Sequence, residues 1–266
     1  MSSITHIGAK NMLENQYEII KQLSSPLRLK KILVYFCSDT HQDYQRKIKL
    51  MAPYLNKKDP TSDEIASELS YHLELLRTLS GCTVGYNSIT TIETKVQGMF
   101  HFVDLLKCFM DPQCLMLVRI EYGMFFFNAV LEVEIPLPGL VYSQSVWSAL
   151  IHCTEVFVSG RDLLRQAERN GFEAPGVSRQ NIEYIIVCVM IVHAFFKRYF
   201  DLPVFTREIN NIPAKGNKVS LTLPQIHDLI TSLYEKVRVL YELDSPVLAA
   251  SHKAYIYNAL DTLSKV

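Results

Sequence analysis

The clearest helical pattern of the chain spans residues 61–80 and reads TSDEIASELSYHLELLRTLS. Its apolar positions repeat on one helical face. They are Ile65, Leu69, Leu73, Leu76 and Leu79. Thr61 and Glu64 have the spacing of a capping box, and Gly81 stands where a helix commonly ends. The stretch therefore predicts an amphipathic helix of about five turns.

Helical periodicity continues along most of the chain, and proline or glycine residues mark many of the segment ends. The other predicted helical segments are residues 11–23, 27–37, 44–55, 112–134, 143–169, 178–200, 224–243 and 246–263. Strand-like alternation is limited to residues 219–223, within a long irregular connection at 201–223 where we expect a mobile loop. The pattern predicts an all-α fold of about ten helices. An armadillo-like α-solenoid is the preferred arrangement, and a compact helical bundle is the alternative.

Composition narrows the classes of function. The chain has 266 residues, of which 48% are hydrophobic, so it has ample apolar surface to form a core and is not a disordered chain. Its 27 basic and 27 acidic residues balance. A nucleic-acid-binding protein normally carries a basic excess, so we expect no nucleic-acid partner. The low glycine content, 10 residues, argues against a glycine-lined nucleotide fold.

Two features concern the cellular compartment. None of the six cysteines forms a CxxC pair, which favours buried free thiols in a reducing compartment. The longest uncharged apolar run, residues 184–196, has 13 residues, whereas a membrane-spanning helix needs about 20. The N-terminal residues lack the apolar region of a secretory signal. We therefore expect a cytoplasmic chain that does not itself insert into a membrane.

The sequence contains no motif that predicts catalysis. Phosphate-binding glycine loops and the common hydrolase motifs are absent, so we predict no enzyme activity and no catalytic, cofactor-binding or metal-binding residues. His193 lies in the apolar run and is interpreted as a core histidine, while His152 and Cys153 point apart as neighbours on a helix. Three carboxylates of the predicted helix at 112–134 are interpreted as solvated or salt-bridged rather than as an acid–base pair or a calcium site. They are Glu121, Glu132 and Glu134.

Residues 28–58 form a locally basic stretch with eight basic and two acidic side chains. The basic residues are Arg28, Lys30, Lys31, Arg46, Lys47, Lys49, Lys57 and Lys58, against Asp39 and Asp43. This stretch could face an anionic ligand or partner. Ordinary charge on exposed helix faces is the default interpretation.

Several ordered segments between residues 65 and 200 resemble one family. They are residues 71–76 (YHLELL), 82–87 (CTVGYN), 92–95 (IETK), 111–114 (DPQC), 118–122 (VRIEY), 127–128 (FN), 132–134 (EVE), Trp147 and 194–196 (AFF). Their order and spacing resemble the homology domain shared by inositol trisphosphate receptors and ryanodine receptors, called the RIH domain. The inositol trisphosphate receptor branch is the more similar. The chain departs from the family pattern at Val84, at Leu131–Glu132 and at Pro136 and Pro138.

The resemblance implies an armadillo-like scaffold in the cytosolic part of a tetrameric calcium-release channel at the endoplasmic reticulum. It divides the chain into an N-terminal helical segment (1–60), an RIH-like core (61–200), an irregular loop (201–223) and a C-terminal helical pair (224–266). The implied partners are neighbouring domains or subunits of the channel, and no residue of the family's ligand site or pore can be matched here. We therefore do not expect specific inositol trisphosphate binding. An independent helical adaptor and an all-α enzyme with a site built from distant residues are the alternatives.

Overall fold

The computed structural model describes residues 6–7, 10–11, 13–25, 41–84, 90–134, 136–209 and 218–266. Within this part of the chain the fold is all-α. Its helices are α1 (Leu13–Leu23), α2 (His41–Met51), α3 (Ser67–Thr83), α4 (Thr90–Gln97), α5 (Phe102–Met110), α6 (Met116–Phe126), α7 (Gln144–Asn170), α8 (Arg179–Arg198), α9 (Leu202–Glu208), α10 (Leu223–Glu242) and α11 (Ala250–Leu263). The strands described, β1 (His6–Ile7) and β2 (Lys10–Asn11), form one two-residue antiparallel pair.

The chain divides into two compact units, Met1–Pro136 and Leu137–Val266. In the first unit α3 is the central helix, because it packs against α1, α4 and α6, and α5 packs against α6. The apolar stripe predicted on α3 is fully buried: Leu69, Leu73, Leu76 and Leu79 each have 0% exposure. The unit boundary lies inside the segment 61–200 that the resemblance treats as one core.

In the second unit the principal helix contacts form a closed cycle. Helix α7 packs against α8, α8 against α11, α11 against α10, and α10 against α7. Trp147 near the start of α7 contacts Phe195 near the end of α8, and Gly160 further along α7 faces Ile185 near the start of α8, so these two helices are antiparallel. This cycle resembles a helical bundle within the unit, and the α-solenoid arrangement of the whole chain stays a prediction.

Local capping explains where several helices begin. The Ser178 hydroxyl accepts a hydrogen bond from the Asn181 amide at the start of α8, and Asp201 caps α9 in the same way through Val204. Thr222 and Gln225 form a capping box at the start of α10, with Pro224 in the first turn. The side chains of Ser178, Asp201 and Thr222 thus satisfy amides that a helix N-terminus leaves without an internal partner.

The predicted helices at 143–169, 178–200 and 224–243 are confirmed to within two residues as α7, α8 and α10. The helix predicted at 61–80 begins later, at Ser67, and continues through Gly81 to Thr83. The Thr61–Glu64 hydrogen bonds exist, but they close a separate turn before the helix. The predicted irregular connection at 201–223 contains α9, and the predicted helix at 27–37 lies outside the described residues.

The helix predicted at 112–134 is shorter than expected, and it is not a regular α-helix throughout. Asp111 and Gln113 form a turn, α6 begins at Met116, and it ends at Phe126. A π-helical segment, Phe127–Leu131, follows directly and brings the helical path to an end. The sequence prediction also missed α4 and α5, which have eight and nine residues.

Helix α8 carries the longest apolar run of the chain. Among the described residues it is the helix whose length and composition would allow it to cross a membrane, but 78% of its apolar window is buried inside the structure. Its apolar residues face α7 and α11. This burial matches the sequence interpretation of a core helix. Core helices of many proteins are as long and as apolar as α8.

Candidate functional site

A network of polar side chains joins the helices of the first unit. His72 on α3 and Tyr122 on α6 are both buried, and the His72 Nε2 and Tyr122 Oη atoms lie 2.8 Å apart in a hydrogen bond. Their rings also pack together, with centroids 5.7 Å apart. A buried hydrogen bond of this kind fixes the relative position of two helices, because breaking it leaves polar atoms away from water.

Arg77 is the centre of the same network. Its Nε and Nη2 atoms donate to Glu121 Oε1 on α6 at 2.7 and 2.6 Å, and its Nη1 atom donates to Glu74 on α3 and to Ser62 Oγ at 2.8 Å. Burial opposes the charge of this guanidinium, but the bonds to Glu121 and Glu74 outweigh burial and raise the pKa of Arg77. The Glu121 side chain is 14% exposed, so this ion pair is better shielded from solvent than a surface pair.

Three further contacts join this region to neighbouring helices, and the first two involve the π-helical segment Phe127–Leu131. Asn128 Nδ2 donates to Ser80 Oγ on α3 at 2.8 Å, and Gln97 Nε2 on α4 donates to the Ala129 carbonyl at 3.0 Å. Both carboxylate oxygens of the buried Glu93 accept the Glu134 amide, at 3.0 and 3.1 Å. We call these contacts, with those of His72 and Arg77, the inter-helix network. The polar groups of this network bond to one another, so the network fixes the relative positions of the helices in the first unit.

The second unit is held by an aromatic cluster at the start of α7. Trp147 is fully buried, its Nε1 donates to the Val141 carbonyl at 2.7 Å, and its ring packs against Phe195, Phe200 and Phe205. The Tyr142 hydroxyl donates to Glu208 Oε2 on α9 at 2.7 Å. Burial and this hydrogen bond raise the pKa of Tyr142 to about 12. The cluster thereby anchors the short helix α9 to the start of α7.

The second unit also contains a cavity of about 580 Å³, open to solvent, between α9, α10 and the end of α11, which we call the α9–α11 cavity. Its lining residues are Leu202, Thr206, Leu223, Pro224, His227, Ile230, Thr231, Tyr234, Leu263, Ser264 and Val266. A second cavity, of about 520 Å³, shares Leu202 and Val266 with it and is lined by more polar residues, including His193, Lys197 and Asp261.

The residues singled out in the sequence lie apart from one another. His193 Nδ1 bonds with Thr262 Oγ1 at 2.8 Å, as expected of a histidine packed between helices. His152 Nε2 bonds with the Tyr184 hydroxyl at 2.8 Å, while the neighbouring Cys153 is buried. Glu121 is in the inter-helix network, as the salt-bridge interpretation predicted.

The two other carboxylates and the cysteines complete this comparison. Glu132 is half-buried, and the Glu134 side chain is exposed. The five described cysteines are buried and form no disulfide, which confirms that part of the interpretation for those positions, while Cys37 lies outside the described residues. Within the described part of the chain, no group of three or more His, Cys, Asp or Glu side chains could hold a metal ion.

The structure separates the members of the basic stretch. Arg28, Lys30 and Lys31 lie outside the described residues. Arg46 donates both Nη2 hydrogen bonds to the Glu68 carboxylate, at 2.6 and 2.7 Å, and Lys47 is buried with 6% exposure. Lys57 lies over the ring of Tyr54. The described basic side chains therefore do not converge on one anion.

Sequence reasoning missed Arg77 and the α9–α11 cavity. The Glu74–Arg77 spacing of three residues predicts a local ion pair, but the stronger partner, Glu121, is 44 residues away. The cavity is lined by residues of three separate elements, so no local sequence pattern predicts it. No protein-family model matches the chain. The resemblance to the RIH domain therefore stays a prediction carried by the residues quoted for it.

Proposed function

We propose that the chain is a non-catalytic regulatory segment of an intracellular calcium-release channel similar to the inositol trisphosphate receptors. In this proposal it transmits conformational change between the ligand-binding and pore regions of the channel. It would lie on the cytosolic face of the endoplasmic reticulum and contact neighbouring domains or subunits. Its role needs no cofactor.

One observation carries the proposal. Residues that give the resemblance bond with partners across helices: His72 bonds with Tyr122, and Glu121 accepts hydrogen bonds from Arg77, which directly follows the segment 71–76. Glu93 pairs in the same way with the Glu134 amide. These positions are far apart in sequence, and contacts of this kind support the proposal because they join segments that the resemblance is based on.

The inter-helix network is suited to transmitting a displacement. Energetic coupling over long distances is carried by packed side chains, polar networks and rigid elements with discrete arrangements. Here α3 is bound to α6 by two polar contacts and to the π-helical segment Phe127–Leu131 by a third. A displacement of α3 would therefore move α6 and the π-helical segment Phe127–Leu131 with it.

The test introduces Arg77→Gln into the gene for the native protein and measures inositol trisphosphate binding and calcium release in membrane vesicles from those cells. We expect unchanged binding and reduced release, because the variant loses the ion pairs that connect α3 and α6. Arg161→Gln is the matched control, since its ion pair with Asp162 is exposed and joins adjacent residues. Equal calcium release in the Arg77 variant and the wild type would contradict the proposal.

An independent helical adaptor is the second candidate, and a surface feature favours it. Tyr241 and Tyr257 have rings 5.9 Å apart and are 43% and 54% exposed, and exposed tyrosines are enriched at protein interfaces. The native polypeptide distinguishes the two candidates. An antibody against residues 137–266 should detect a large, membrane-associated protein if the channel proposal is correct, and a small protein recovered without membranes if the chain is an adaptor.

A further inference from the structure

The α9–α11 cavity has the size and lining of a binding site for a small molecule. Ligand cavities commonly measure about 300–1,000 Å³ and have mostly apolar walls with a few polar groups. This cavity measures about 580 Å³, and Leu223, Ile230 and Leu263 contribute apolar wall from two helices. Helix α10 also contributes the polar side chains of His227 and Thr231.

The charge of the lining restricts the ligand. Among the described residues that form the wall, none is Asp, Glu, Lys or Arg. An anionic ligand would lose hydration against the apolar wall without meeting a Lys or Arg side chain, which is unfavourable. The neighbouring cavity differs, because Lys197, Asp201, Asp261 and Lys265 line it. The lining of the α9–α11 cavity therefore favours an uncharged ligand over an anion.

The polar side chains of α10 are available to orient such a molecule. His227, Thr231 and Tyr234 lie on one face of the helix and line the same cavity. Within the described part of the chain, none of these three side chains makes a hydrogen bond. A ligand can therefore gain a hydrogen bond there without breaking one inside the protein.

We propose that the α9–α11 cavity binds an uncharged lipophilic molecule that carries one hydrogen-bonding group. The apolar part of the ligand packs against Leu223, Ile230 and Leu263, and its polar group bonds with the side chains of α10. This site belongs to the second unit alone, and the inference does not depend on the channel proposal.

The probe for this test is N-phenylnaphthylamine, an uncharged lipophilic fluorophore with one N–H donor, whose emission increases in apolar surroundings. We expect saturable one-to-one binding to the full chain. Thr231→Trp should weaken binding at least tenfold, because the indole occupies part of the cavity from its exposed side. Tyr234→Phe should weaken binding about two- to tenfold if its hydroxyl accepts the hydrogen bond of the probe.

Two controls make the result specific. Glu235→Trp adds the same side chain at an exposed position of α10 that does not line the cavity, and it should bind the probe as the wild type does. The anionic analogue anilinonaphthalene sulfonate has the same ring system, and it should bind at least tenfold more weakly. Circular dichroism checks that each variant is folded.

Three results would overturn the inference. The first is the absence of saturable binding by the folded wild-type chain, and the second is equal binding by Thr231→Trp and the wild type. Equally tight binding of the anionic analogue would show that the proposed ligand class is wrong. Self-association of the chain that is abolished by Thr231→Trp, without probe binding, would identify the cavity as a protein-docking site.

Discussion

Trp147 is the residue whose environment the sequence predicts best. It is the single tryptophan of the chain, it has no exposed surface, and three phenylalanine rings surround it. Trp147→Ala should lower the free energy of unfolding by about 3–5 kcal/mol, because the substitution leaves a large cavity. Urea denaturation followed by circular dichroism measures this change.

The control for Trp147 is Tyr255→Ala in the same unit. Tyr255 is 40% exposed, so its truncation should change the free energy of unfolding by no more than about 0.5 kcal/mol. The native fluorescence of Trp147 provides a second check. Emission at the wavelength of tryptophan in water would contradict the buried position.

Tyr142 predicts a pH dependence. Burial, followed by the hydrogen bond to Glu208, raises its pKa from 10.0 to about 12. The folded state keeps this proton to a higher pH than the unfolded chain does. The contribution of Tyr142 to stability is therefore complete below pH 10 and is lost as the pH rises towards 12. Tyr142→Phe should show a smaller loss of stability over this range.

Urea denaturation at several pH values between neutral and pH 12 measures the difference between wild type and Tyr142→Phe. A difference titration of tyrosinate absorbance is the direct check, because the variant removes one of 14 tyrosines. A tyrosine that titrates near pH 10 and disappears with the substitution would contradict the assignment.

At the scale of elements, Gly160 permits α7 to approach α8 closely. A Cβ atom at this position would lie 2.8 Å from Ile185 Cδ1 and 3.0 Å from Ile185 Cγ1. Ile185 is 2% exposed and has little room to move. Gly160→Val should therefore lower the free energy of unfolding by about 1–3 kcal/mol, as overpacked cores do.

Ser159→Val is the matched control for Gly160→Val. It adds the same side chain one residue earlier on α7, at an exposed position. Urea denaturation of both variants should separate the effect of packing from that of a β-branched residue in a helix. Equal destabilisation of the two variants would show that α7 and α8 do not meet at Gly160.

The sequence predicts long helices well where local signals and core patterns agree. Helices α8 and α10 directly follow their N-cap residues, Ser178 and Thr222, and both have buried apolar faces. Helix α4 was missed because eight residues show too little periodicity. The Thr61–Glu64 spacing predicts a helix start, but the same two residues can also close an isolated turn, as they do here.

The change from α-helix to π-helix after Phe126 had a different origin. Residues 112–134 are apolar enough to continue a helix, but Asn128 bonds with Ser80 and Gln97 bonds with the Ala129 carbonyl. These partners come from α3 and α4, so the π-helical segment depends on tertiary contacts that periodicity does not report. The inter-helix network was hidden from sequence reasoning for the same reason.

At the scale of the whole molecule, the second unit should fold by itself. Its four long helices form a closed cycle of contacts, so each apolar face has a partner inside the unit. A fragment of residues 137–266 should be helical and unfold cooperatively in urea. A fragment of residues 137–243 is the control, because it lacks α11 and exposes apolar faces of α8 and α10.

Circular dichroism and urea denaturation decide this prediction. We expect the longer fragment to show one sharp unfolding transition and the shorter fragment to show a broad transition or none. A longer fragment without cooperative unfolding would contradict the independence of the second unit. Cooperative unfolding of the shorter fragment would show that α11 is not needed to complete the core.

The charge distribution of the whole chain predicts its response to inositol trisphosphate. A ligand with three phosphates requires several cationic side chains that converge on it. The chain has no net charge, and in the described part of the basic stretch Arg46 is paired with Glu68 and Lys47 is buried. We therefore predict no saturable binding by residues 1–266 at physiological ionic strength.

Isothermal titration calorimetry tests this prediction, with Lys49→Ala as the informative variant. Lys49 is exposed, so its truncation should leave the fold intact, whereas Lys47→Ala would disturb a buried position. Any weak heat of binding to exposed lysines should disappear as salt is added, because the screening length falls to about 8 Å at physiological ionic strength. Saturable one-to-one binding at micromolar affinity or tighter, lost in a folded Lys49→Ala variant, would contradict the prediction. The chain would then sense the ligand itself, and the role of a transmitting segment would no longer explain its basic stretch.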